Sequence, residues 1–540
     1  MQRRQKRSNL IELMVTVLAI LACLDAFGNP RAIGLLEREA VLYFGANDGA
    51  LHGVSACTRE ERVANVPNAV LSSGTDPEPS KLTSMNHAHR YNVDGPATVL
   101  DAFWSGAWHK TLVGALRGGG KGVFALDVTD ASTLDETYAN QALLWEIEAT
   151  PLEPGSDFEE LGYPLSQPAI VEAEGHGWVA VFGNGYDSAS GKAVLYIVRI
   201  NDGTLLRSID LSDVDVVADG GGNGLSTVSP IDTDGNGLVD LIYGGDLKGN
   251  LWRFKATAGV GFAPGATSLL YSAKSVQGEE QPITSRMAVG YHPTSAVGRM
   301  VYFGTGKPFP SGGQGPDTAV ELNTMYGIWD RDNGQTVTSV TTRNSKVLQQ
   351  QTIELQDSNA FGSKQFEIRV VSDTPVTWAT PTGSCAVDSS CGWYIDLIDT
   401  RIGTNSGETI AANPLLRSGR LSFVTTTPSL QSCRAGGTRW LMELDPYTGG
   451  RLKFPVFDLN GDGVFDFNDN LSSMNGDATV STPVSGKRSK VGILQPPGIQ
   501  AGFGRAGVKY TLGVNNAQID ATIQNSGILG TGRESSVQVR

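Results

Sequence analysis

From residue 40 onward, the chain repeats one pattern of apolar and polar positions. Each copy is a β-branched or aromatic run that ends in glycine, followed by a polar turn and a second apolar run. The clearest copies begin at Val41, Thr111, Trp178, Asp240 and Met300. Short apolar runs bounded by Gly and polar turn residues are typical of β-hairpins. The pattern therefore predicts an all-β protein built from repeated hairpins.

The spacing of these copies fits repeated four-stranded sheets. The first four copies are about 60 to 70 residues apart, which is enough for four strands and their loops. Looser copies begin at Gly392, Leu421 and Val491. A β-propeller stacks such sheets and leaves only short edges exposed. We therefore predict a modified β-propeller of about seven blades over residues 40–500, with larger insertions between about residues 307 and 390.

Two other segments differ from this pattern. Residues 336–371 alternate polar and apolar positions, which predicts additional strands. Residues 501–540 are rich in Gly, Asn and Ser, so a partly disordered tail is expected there.

The amino terminus has the composition of an export segment. A basic stretch from Arg3 to Arg7 precedes an apolar run from Leu13 to Leu24. The run is short for a membrane span but suits the apolar part of an export signal. Residues 1–28 are therefore expected to direct the protein out of the cytoplasm and to lie outside the globular fold.

Three processing routes remain open for this segment. Signal cleavage after Gly28 is the first, and lipidation at Cys23 is the second, although a bulky residue follows that cysteine. The third rests on a resemblance: the stretch Leu10 to Leu21 is similar to the start of type IV prepilins, with Glu12 at the position of their buried glutamate. The usual Gly-Phe cleavage junction is replaced by Arg7-Ser8.

The charge balance argues against a general nucleic-acid binder. The 540 residues include 56 acidic and 42 basic side chains, which gives a net charge of −14. Binding to nucleic acid requires a basic surplus to neutralise phosphates. The acidic surplus is compatible with cation-binding loops.

Five cysteines are too few to be the main source of stability in a chain of this length. Cys385 and Cys391 are close enough in sequence to bridge a local loop, while Cys57 and Cys433 are possible partners for each other. If Cys23 is removed or lipidated, an even number remains, as suits an oxidising compartment. Unrelated buried thiols are the alternative for the distant pair.

An acidic loop leads directly into the fourth copy of the repeat. Its potential oxygen donors stand at positions 1, 3, 5, 7 and 9: the side chains of Asp232, Asp234, Asn236 and Asp240, and the backbone carbonyl of Leu238. A glycine at the sixth position allows the sharp turn that calcium loops require. The spacing predicts a Ca²⁺ site on a β-hairpin, and a solvated Asp/Gly turn is the alternative.

A second acidic loop with the same spacing occurs late in the chain. Its expected donors are the side chains of Asp458, Asn460, Asp462, Asp466 and Asp469 and the backbone carbonyl of Val464. Asp469 occupies the twelfth position, where calcium loops usually have a bidentate Glu, so weaker affinity is expected. Because chance repetition of this spacing is improbable, each loop supports the prediction made for the other.

The sequence contains no recognisable catalytic motif. The six histidines form no zinc-protease pattern, and both the nucleophile-elbow and the phosphate-loop patterns are absent. His87 and His89 could bind a metal from one face of a strand, but two histidines in a polar loop are the ordinary interpretation. Asp94 and Asp101 could form an acid pair, although turn capping is the simpler role. We therefore predict a protein that is not an enzyme.

Several separate motifs, in order, resemble the PilC/PilY family of type IV pilus biogenesis proteins. They are GANDGALHG at Gly45, VDGPATVLDAFWSGAW at Val93, KGVFALDVTD at Lys121, VFGNGYDS at Val181, DTDGNGLVDLIYGGDLKGNLWRF at Asp232, QPITS at Gln281, FGTGK at Phe303, and the run from GTRWLMELDPYTGG to FDLNGDG. The resemblance covers about residues 40 to 500.

The resemblance implies a seven-bladed propeller with the shape of the quinoprotein dehydrogenases and a calcium loop matched at Asp232 to Asp240. It also implies a role in pilus assembly, in calcium-dependent opposition to pilus retraction, and in adhesion at the pilus tip. The expected partners are minor pilins, the pilus tip and a host or surface receptor. The expected location is the fimbrium, the cell surface or the outer membrane, with the amino-terminal segment as a possible anchor.

Two departures and two alternatives accompany this resemblance. Family members usually have a long amino-terminal region, so adhesion located there is not carried over, and a prepilin-like segment is not usual before a propeller. A quinone-dependent dehydrogenase on the same fold is the first alternative, although the chain lacks the adjacent cysteine pair of several such enzymes. A secreted glycan-binding propeller is the second.

Overall fold

A computed structural model describes most of the chain. The described residues are 39–71, 91–130, 139–149, 155–214, 222–295, 297–307, 321–332, 347–386, 389–400, 403–428, 437–472, 481–489, 498–501, 506–512 and 519–525. The chain forms two compact units. Unit 1 comprises Met1–Leu241, Lys255–Ala266 and Ser311–Gly313, and unit 2 comprises Ile242–Phe254, Thr267–Pro310 and Gln314–Arg540.

Unit 1 contains three successive antiparallel sheets. The first has three strands, β1 (Val41–Gly45), β2 (Leu51–Ser55) and β3 (Glu61–Asn65), and a short helix, α1 (Asn68–Leu71), follows it. The second has four strands, β4 (Thr98–Trp104), β5 (Ala107–Ala115), β6 (Gly122–Asp127) and β7 (Leu143–Glu148), with α2 (Ala139–Ala142) before the last strand. The third has β8 (Ala169–Ala173), β9 (Gly177–Gly183), β10 (Val194–Arg199) and β11 (Leu205–Asp210).

A fourth antiparallel sheet follows in the chain. Its strands are β12 (Ser229–Ile231), β13 (Leu241–Gly245), β14 (Asn250–Thr257) and β15 (Gly261–Ser272), in that order. The first acidic loop, residues 232–240, connects β12 to β13. This loop lies within unit 1.

The larger sheets of unit 2 include longer-range strand pairings. One sheet has the order β16-β17-β18-β22-β19, with β16 (Ala288–Gly290), β17 (Arg299–Gly304), β18 (Thr324–Asp330), β19 (Gln349–Gln351) and β22 (Gly392–Asp396). The other has the order β20-β21-β28-β27-β26-β25, with β20 (Ile353–Phe361), β21 (Lys364–Val371), β25 (Leu415–Arg417), β26 (Arg420–Pro428), β27 (Gly437–Leu444) and β28 (Gly486–Arg488). β19, β20 and β21 lie where the alternation of residues 336–371 predicted additional strands.

Two small sheets complete the described strands. They are β23 (Ile398–Asp399) with β24 (Thr404–Asn405), and β29 (Gly498–Ala501), β30 (Ala506–Leu512) and β31 (Ile519–Asn525). Three short 3₁₀ helices also occur in the described chain, at Arg117–Gly119, Leu211–Asp213 and Phe467–Asp469. β30 and β31 lie in the predicted tail, so the described part of that tail contains strands.

The prediction of an all-β fold is confirmed. The copies at Thr111, Trp178 and Met300 fall on the second strand of a sheet, and each includes the hairpin to the third strand. The copy at Gly392 is not a separate unit, because it is β22, which pairs with β18 as the fourth strand of the Met300 sheet. The copy at Val491 lies outside the described residues, and the number of about seven blades stays a prediction.

Steric contacts explain why the repeated runs end in glycine. A Cβ at Gly183 would overlap the carbonyl oxygen of Leu225, in the chain leading to the next sheet. In unit 2, a Cβ at Gly304 would overlap the Ile410 side chain in the same way. Glycine is therefore the residue that lets the connecting chain pass close to the end of the second strand.

Each unit has a hydrophobic core formed by buried strand residues. In unit 1, buried residues of the second and third sheets form one cluster, with Trp145, Phe182 and Tyr196 among its largest members. In unit 2, a second cluster joins β21, β26 and β27 to the segment around the second acidic loop, including Phe457 and Leu459. The second acidic loop is therefore anchored directly in the core of unit 2.

Two further expectations concern covalent and membrane features. Cys385 and Cys391 form a disulfide, as their spacing predicted. Cys57 is also disulfide-bonded, whereas Cys23 and Cys433 lie outside the described residues. The described residues include no helix that is long and apolar enough to cross a membrane.

Candidate metal centres in two acidic loops

The first acidic loop folds into a series of tight turns. Gly235 and Gly237 have φ angles of 80° and 97°, in the left-handed region that side chains with a Cβ rarely adopt. These turns place the backbone N–H groups of Gly235 and Gly237 within hydrogen-bond distance of the Asp232 carboxylate. The two glycines are therefore required by the loop's own backbone.

The donor side chains of this loop are hydrogen-bonded to its backbone. The two carboxylate oxygens of Asp232 accept from the N–H groups of Gly235 and Gly237, at 2.6 and 2.9 Å. Asp234 accepts from the N–H of Asn236, whose amide oxygen accepts from the N–H of Leu238. A carboxylate has about four acceptor sites, so these bonds orient the oxygens without using all of their capacity.

Asp240 closes the first loop on itself. One of its carboxylate oxygens accepts from the N–H of Thr233 at 3.0 Å, and the other accepts from the Thr233 hydroxyl at 2.5 Å. The backbone N–H of Asp240 donates to the carbonyl of Ile231. The ninth position of the loop is thus tied to the start of the loop.

The end of the first loop is also bonded to residues of unit 1 in two neighbouring hairpins. Val239 donates to the carbonyl of Glu172, and its own carbonyl accepts from the N–H of Glu174, so it pairs with the β8–β9 hairpin. The carbonyl of Asp240 accepts from the N–H of Ala256 at the end of β14. A change in the conformational order of the loop would therefore affect both hairpins.

Those two hairpin turns contact each other beside the loop. The Glu174 carboxylate accepts from the N–H of Gly259, and the Nε2 atom of His176 accepts from the N–H of Phe262 at 3.2 Å. Burial and then the Arg207 guanidinium lower the pKa of His176, which agrees with a neutral ring that accepts this hydrogen bond. The loop and the two turns form one hydrogen-bonded group.

The second acidic loop repeats the first half of this geometry. Asp458 accepts from the N–H groups of Gly461 and Gly463 at 2.6 and 3.0 Å, and those glycines have φ angles of 80° and 81°. Asn460 accepts from the N–H of Asp462, whose carboxylate accepts from the N–H of Val464. The shared spacing in sequence therefore produces the same sequence of turns.

The second half of this loop is closed differently. Asp469 is buried and accepts from the N–H groups of Leu459, Asn460 and Asp466. Burial raises its pKa, although these backbone bonds act in the opposite direction. Asp466, at the ninth position, instead caps the 3₁₀ helix Phe467–Asp469. The twelfth position performs here the closing role that Asp240 performs in the first loop.

The two loops also differ in their surroundings. The second is fixed by apolar packing, because Phe457, Leu459 and Leu471 belong to the core cluster of unit 2. Between these anchors, Val464 and Phe467 are exposed to 54% and 73% of their surface. Neither the closing role of Asp469 nor this exposure was predicted from the spacing of the ligands.

The donor chemistry of both loops fits a hard, oxygen-seeking cation. Each loop supplies carboxylate, carboxamide and carbonyl oxygens within nine or twelve residues, as Ca²⁺ prefers. Within the described residues, no group of three or more His, Cys, Asp or Glu side chains is arranged to hold a metal ion.

The other candidate residues are two aspartates and two histidines. Asp94 pairs with Arg117 at 3.9 Å and Asp101 with Lys110 at 3.3 Å, so each of these aspartates has a basic partner. His87 and His89 lie outside the described residues.

The successive antiparallel sheets define the chain as a β-propeller protein. The family model of the PilY1 β-propeller domain matches residues 15–365. The chain therefore belongs to the PilY1 β-propeller family, and the resemblance seen in its motifs is confirmed.

Individual relatives agree with this assignment. The type IV pilus biogenesis factor PilY1 of Pseudomonas aeruginosa is 38% identical over 453 residues, covering 79% of this chain and 36% of the relative. A PilY1 homolog of Xylella fastidiosa is 35% identical, covering 76% of this chain and 26% of the relative. The chain thus spans about a third or less of the length of these relatives.

A solved structure matches over most of the chain. The crystal structure of the Pseudomonas aeruginosa PilY1 C-terminal domain aligns with a TM-score of 0.71 and 33% identity. The match covers 91% of this chain and 93% of that domain. The chain therefore shares the fold of a PilY1 C-terminal domain.

Proposed function

We propose that this chain is a calcium-binding β-propeller that acts in type IV pilus biogenesis at the cell surface and is not an enzyme. The observation that carries the proposal is the pair of loops with one donor spacing and one pattern of turns, in a chain 38% identical to a type IV pilus biogenesis factor. Export would precede this role, as the amino-terminal sequence predicts.

The proposed ligands follow from the donor chemistry. In the first loop they are the side chains of Asp232, Asp234, Asn236 and Asp240 and the carbonyl of Leu238. In the second loop they are the side chains of Asp458, Asn460, Asp462, Asp466 and Asp469 and the carbonyl of Val464. Bound Ca²⁺ would supply positive charge that offsets the repulsion among these carboxylates.

The first loop is the one suited to control pilus function. A cation that draws Asp232, Asp234 and Asp240 together stiffens the loop, and the hydrogen bonds of Val239 pass this order to the β8–β9 hairpin. A local change in charge thereby favours one state of a nearby surface, as in other cation switches. That surface would contact minor pilins or the pilus tip, control extension and retraction, and take part in attachment to a surface receptor.

A complementation experiment tests this function. The gene is deleted, and the strain is complemented with the unchanged gene, with Asp234→Ala/Asp240→Ala, or with Asp157→Ala as a control at an exposed acid of the same unit. We expect surface pili and twitching motility to return with the unchanged gene and the control, and to be altered in the double variant. Normal piliation and twitching in a double variant that no longer binds calcium would contradict the proposed control.

The proposal that this chain is not an enzyme is tested separately. Purified protein supplied with a quinone cofactor, Ca²⁺ and an alcohol is expected to give no alcohol-dependent dye reduction. Sustained reduction that requires both the quinone and the alcohol would instead favour a dehydrogenase on this fold.

A further inference from the structure

One buried arginine of unit 2 has no partner for its charge among the described residues. Arg439, in β27, keeps only 5% of its surface exposed, and its Nε and Nη1 atoms are buried without a hydrogen-bond acceptor. Burial lowers the pKa of Arg439 to about 10, so the guanidinium still carries its charge at neutral pH. A buried charge that is neither paired nor hydrogen-bonded is costly. An anionic partner would offset that cost.

The acidic residues that come next in sequence on either side of Arg439 have other partners. Glu443 lies four residues further along β27, about 13 Å away at the rise of a strand, and accepts from the Ser422 hydroxyl at 2.8 Å. On the other side, Glu408 binds the Arg369 guanidinium through both carboxylate oxygens, at 2.6 and 2.7 Å. Neither carboxylate neutralises Arg439.

The strands around Arg439 come from a basic part of an acidic chain. The net charge of the sequence is −14, but no acidic residue occurs between Glu408 and Glu443 or between Asp477 and Asp520. β25, β26 and β28 lie wholly within these two segments. The basic residues of the two segments are Arg417, Arg420, Arg434, Arg439, Lys487, Arg488, Lys490, Arg505 and Lys509. The charge in this part of the sequence therefore favours an anion.

Two further polar side chains share a face of the sheet with Arg439. Thr426 of β26 is its register partner, and Leu441, two residues further along β27, is the register partner of Lys487 in β28. Register partners and alternate residues of an antiparallel sheet lie on one face, so all three polar side chains project on the same side. The Lys487 ammonium is 5.3 Å from the centre of the Phe366 ring. Thr426 and Lys487 are partly exposed, so solvent reaches this face beside the buried guanidinium.

We propose that this end of the sheet binds a small oxyanion, a phosphate or a carboxylate group, through the Arg439 guanidinium. Lys487 adds a second positive charge, and the Thr426 hydroxyl adds a donor. Hydrogen bonds between a guanidinium and these groups are strong, because donor and acceptor are both charged and their planar or forked geometries match. A neutral ligand would leave the buried charge unpaired. The proposed site requires no Ca²⁺ at either acidic loop.

Thermal unfolding of the full chain in a chelator tests the site. Inorganic phosphate and acetate are titrated separately, with sodium chloride holding the ionic strength constant. A ligand of the folded state raises the Tm progressively once its concentration exceeds the Kd. We expect such a rise with at least one of the two anions, and the anion that acts identifies the group that the site prefers. No rise with either anion would overturn the proposal.

Arg439→Met separates specific binding from the general stabilising effect that phosphate has on proteins. The variant keeps a long apolar side chain without the charge, so the Tm should no longer respond to the anion beyond that general effect. Lys453→Met, at a lysine exposed to 72% elsewhere in unit 2, is the matched control and should keep the full response. An equal response in Arg439→Met and in the unchanged protein would contradict the site.

The same variant also tests whether the guanidinium is unpaired. Replacing a buried charge that has no partner by an apolar side chain removes a desolvation cost. Without phosphate or acetate, the Tm of Arg439→Met should therefore be no lower than that of the unchanged protein. A lower Tm would show that the guanidinium already has a partner within the chain and would overturn the proposal.

A variant at a partly exposed position keeps the test independent of the buried arginine. Lys487→Gln removes the second positive charge, so the anion concentration that gives a set rise in Tm should increase about threefold. Lys453→Gln should leave this concentration unchanged. Equal concentrations in Lys487→Gln and the unchanged protein would contradict the part assigned to Lys487.

Discussion

The two acidic loops share a ligand spacing but are built into the molecule in different ways. In the first, Asp240 closes the loop, and Val239 continues it into a neighbouring hairpin by backbone hydrogen bonds. In the second, buried Asp469 closes the loop, apolar side chains anchor it, and Phe467 faces solvent. The same donor spacing is therefore tied by backbone hydrogen bonds to a neighbouring hairpin at one site and by apolar packing to the core of unit 2 at the other.

The largest expected effect tests the apolar anchoring of the second loop. Leu459 is buried in the core of unit 2, so Leu459→Ala should lower the free energy of unfolding by about 2 to 4 kcal/mol through lost burial and a cavity. Chemical denaturation measures the change. The exposed Val464→Ala is the matched control and should change the free energy by less than about 0.5 kcal/mol. Equal losses in the two variants would show that packing does not anchor this loop.

The next effect tests which position closes each loop. Without calcium, Asp240→Ala should cost about 2 kcal/mol, because it removes the acceptor of two hydrogen bonds from Thr233. Asp466→Ala, at the same position of the second loop, should cost about 1 kcal/mol, the value of a helix cap. Denaturation in a chelator compares them. A larger loss for Asp466→Ala would reverse the assignment of the closing residues.

A smaller effect isolates the side-chain hydrogen bond of the first loop. Thr233→Val keeps the shape of the residue but removes the hydroxyl that donates to Asp240. We expect a loss of about 1 kcal/mol in the free energy of unfolding without calcium. Thr257→Val, at an exposed threonine of the same unit, serves as the control. Indistinguishable variants would mean that the hydroxyl adds no stability to the closed loop.

The smallest expected effect concerns pH at the hairpins beside the first loop. Burial and the neighbouring Arg207 lower the pKa of His176 in the folded protein, so the unfolded chain takes up the proton first. The stability due to the neutral ring is therefore present above about pH 6.5 and is lost as the pH falls below it towards the lowered pKa.

The variant His176→Gln keeps an acceptor for the N–H of Phe262 but does not titrate. The decrease in Tm between about pH 7.5 and about pH 5.5 should be smaller in this variant than in the unchanged protein. Identical pH profiles would show that His176 does not couple these hairpins to pH.

The fold could be predicted from the sequence because its strongest signals are local. Runs such as the one ending at Gly183 carry both the apolar residues of a strand and the glycine that the next connection requires. The outer strands of the sheets have weaker local signals, and the sequence pattern alone places β22 in a copy of its own. Its pairing with β18 joins residues that are far apart in sequence, so no local pattern indicates it.

The candidate sites were predictable only in part. The glycine turns and the alternating donors of both loops follow from spacing, because the bonds from Asp232 and Asp458 to those turns reach at most five residues along the chain. The bonds from Val239 to Glu172 and Glu174 depend on tertiary structure. The closing role of Asp469 also depends on tertiary structure, because it requires a buried carboxylate that local spacing does not indicate.

Hydrogen–deuterium exchange with and without calcium compares the proposed roles of the two loops in one measurement. We predict that Ca²⁺ slows exchange at residues 232–240 and also at the hairpin residues 172–177 and 256–262, whereas in the second loop protection stays within residues 458–469. Protection at neither loop would contradict the cation sites. Protection of the first loop without its hairpins would contradict the proposed transfer of order from this loop to the hairpins.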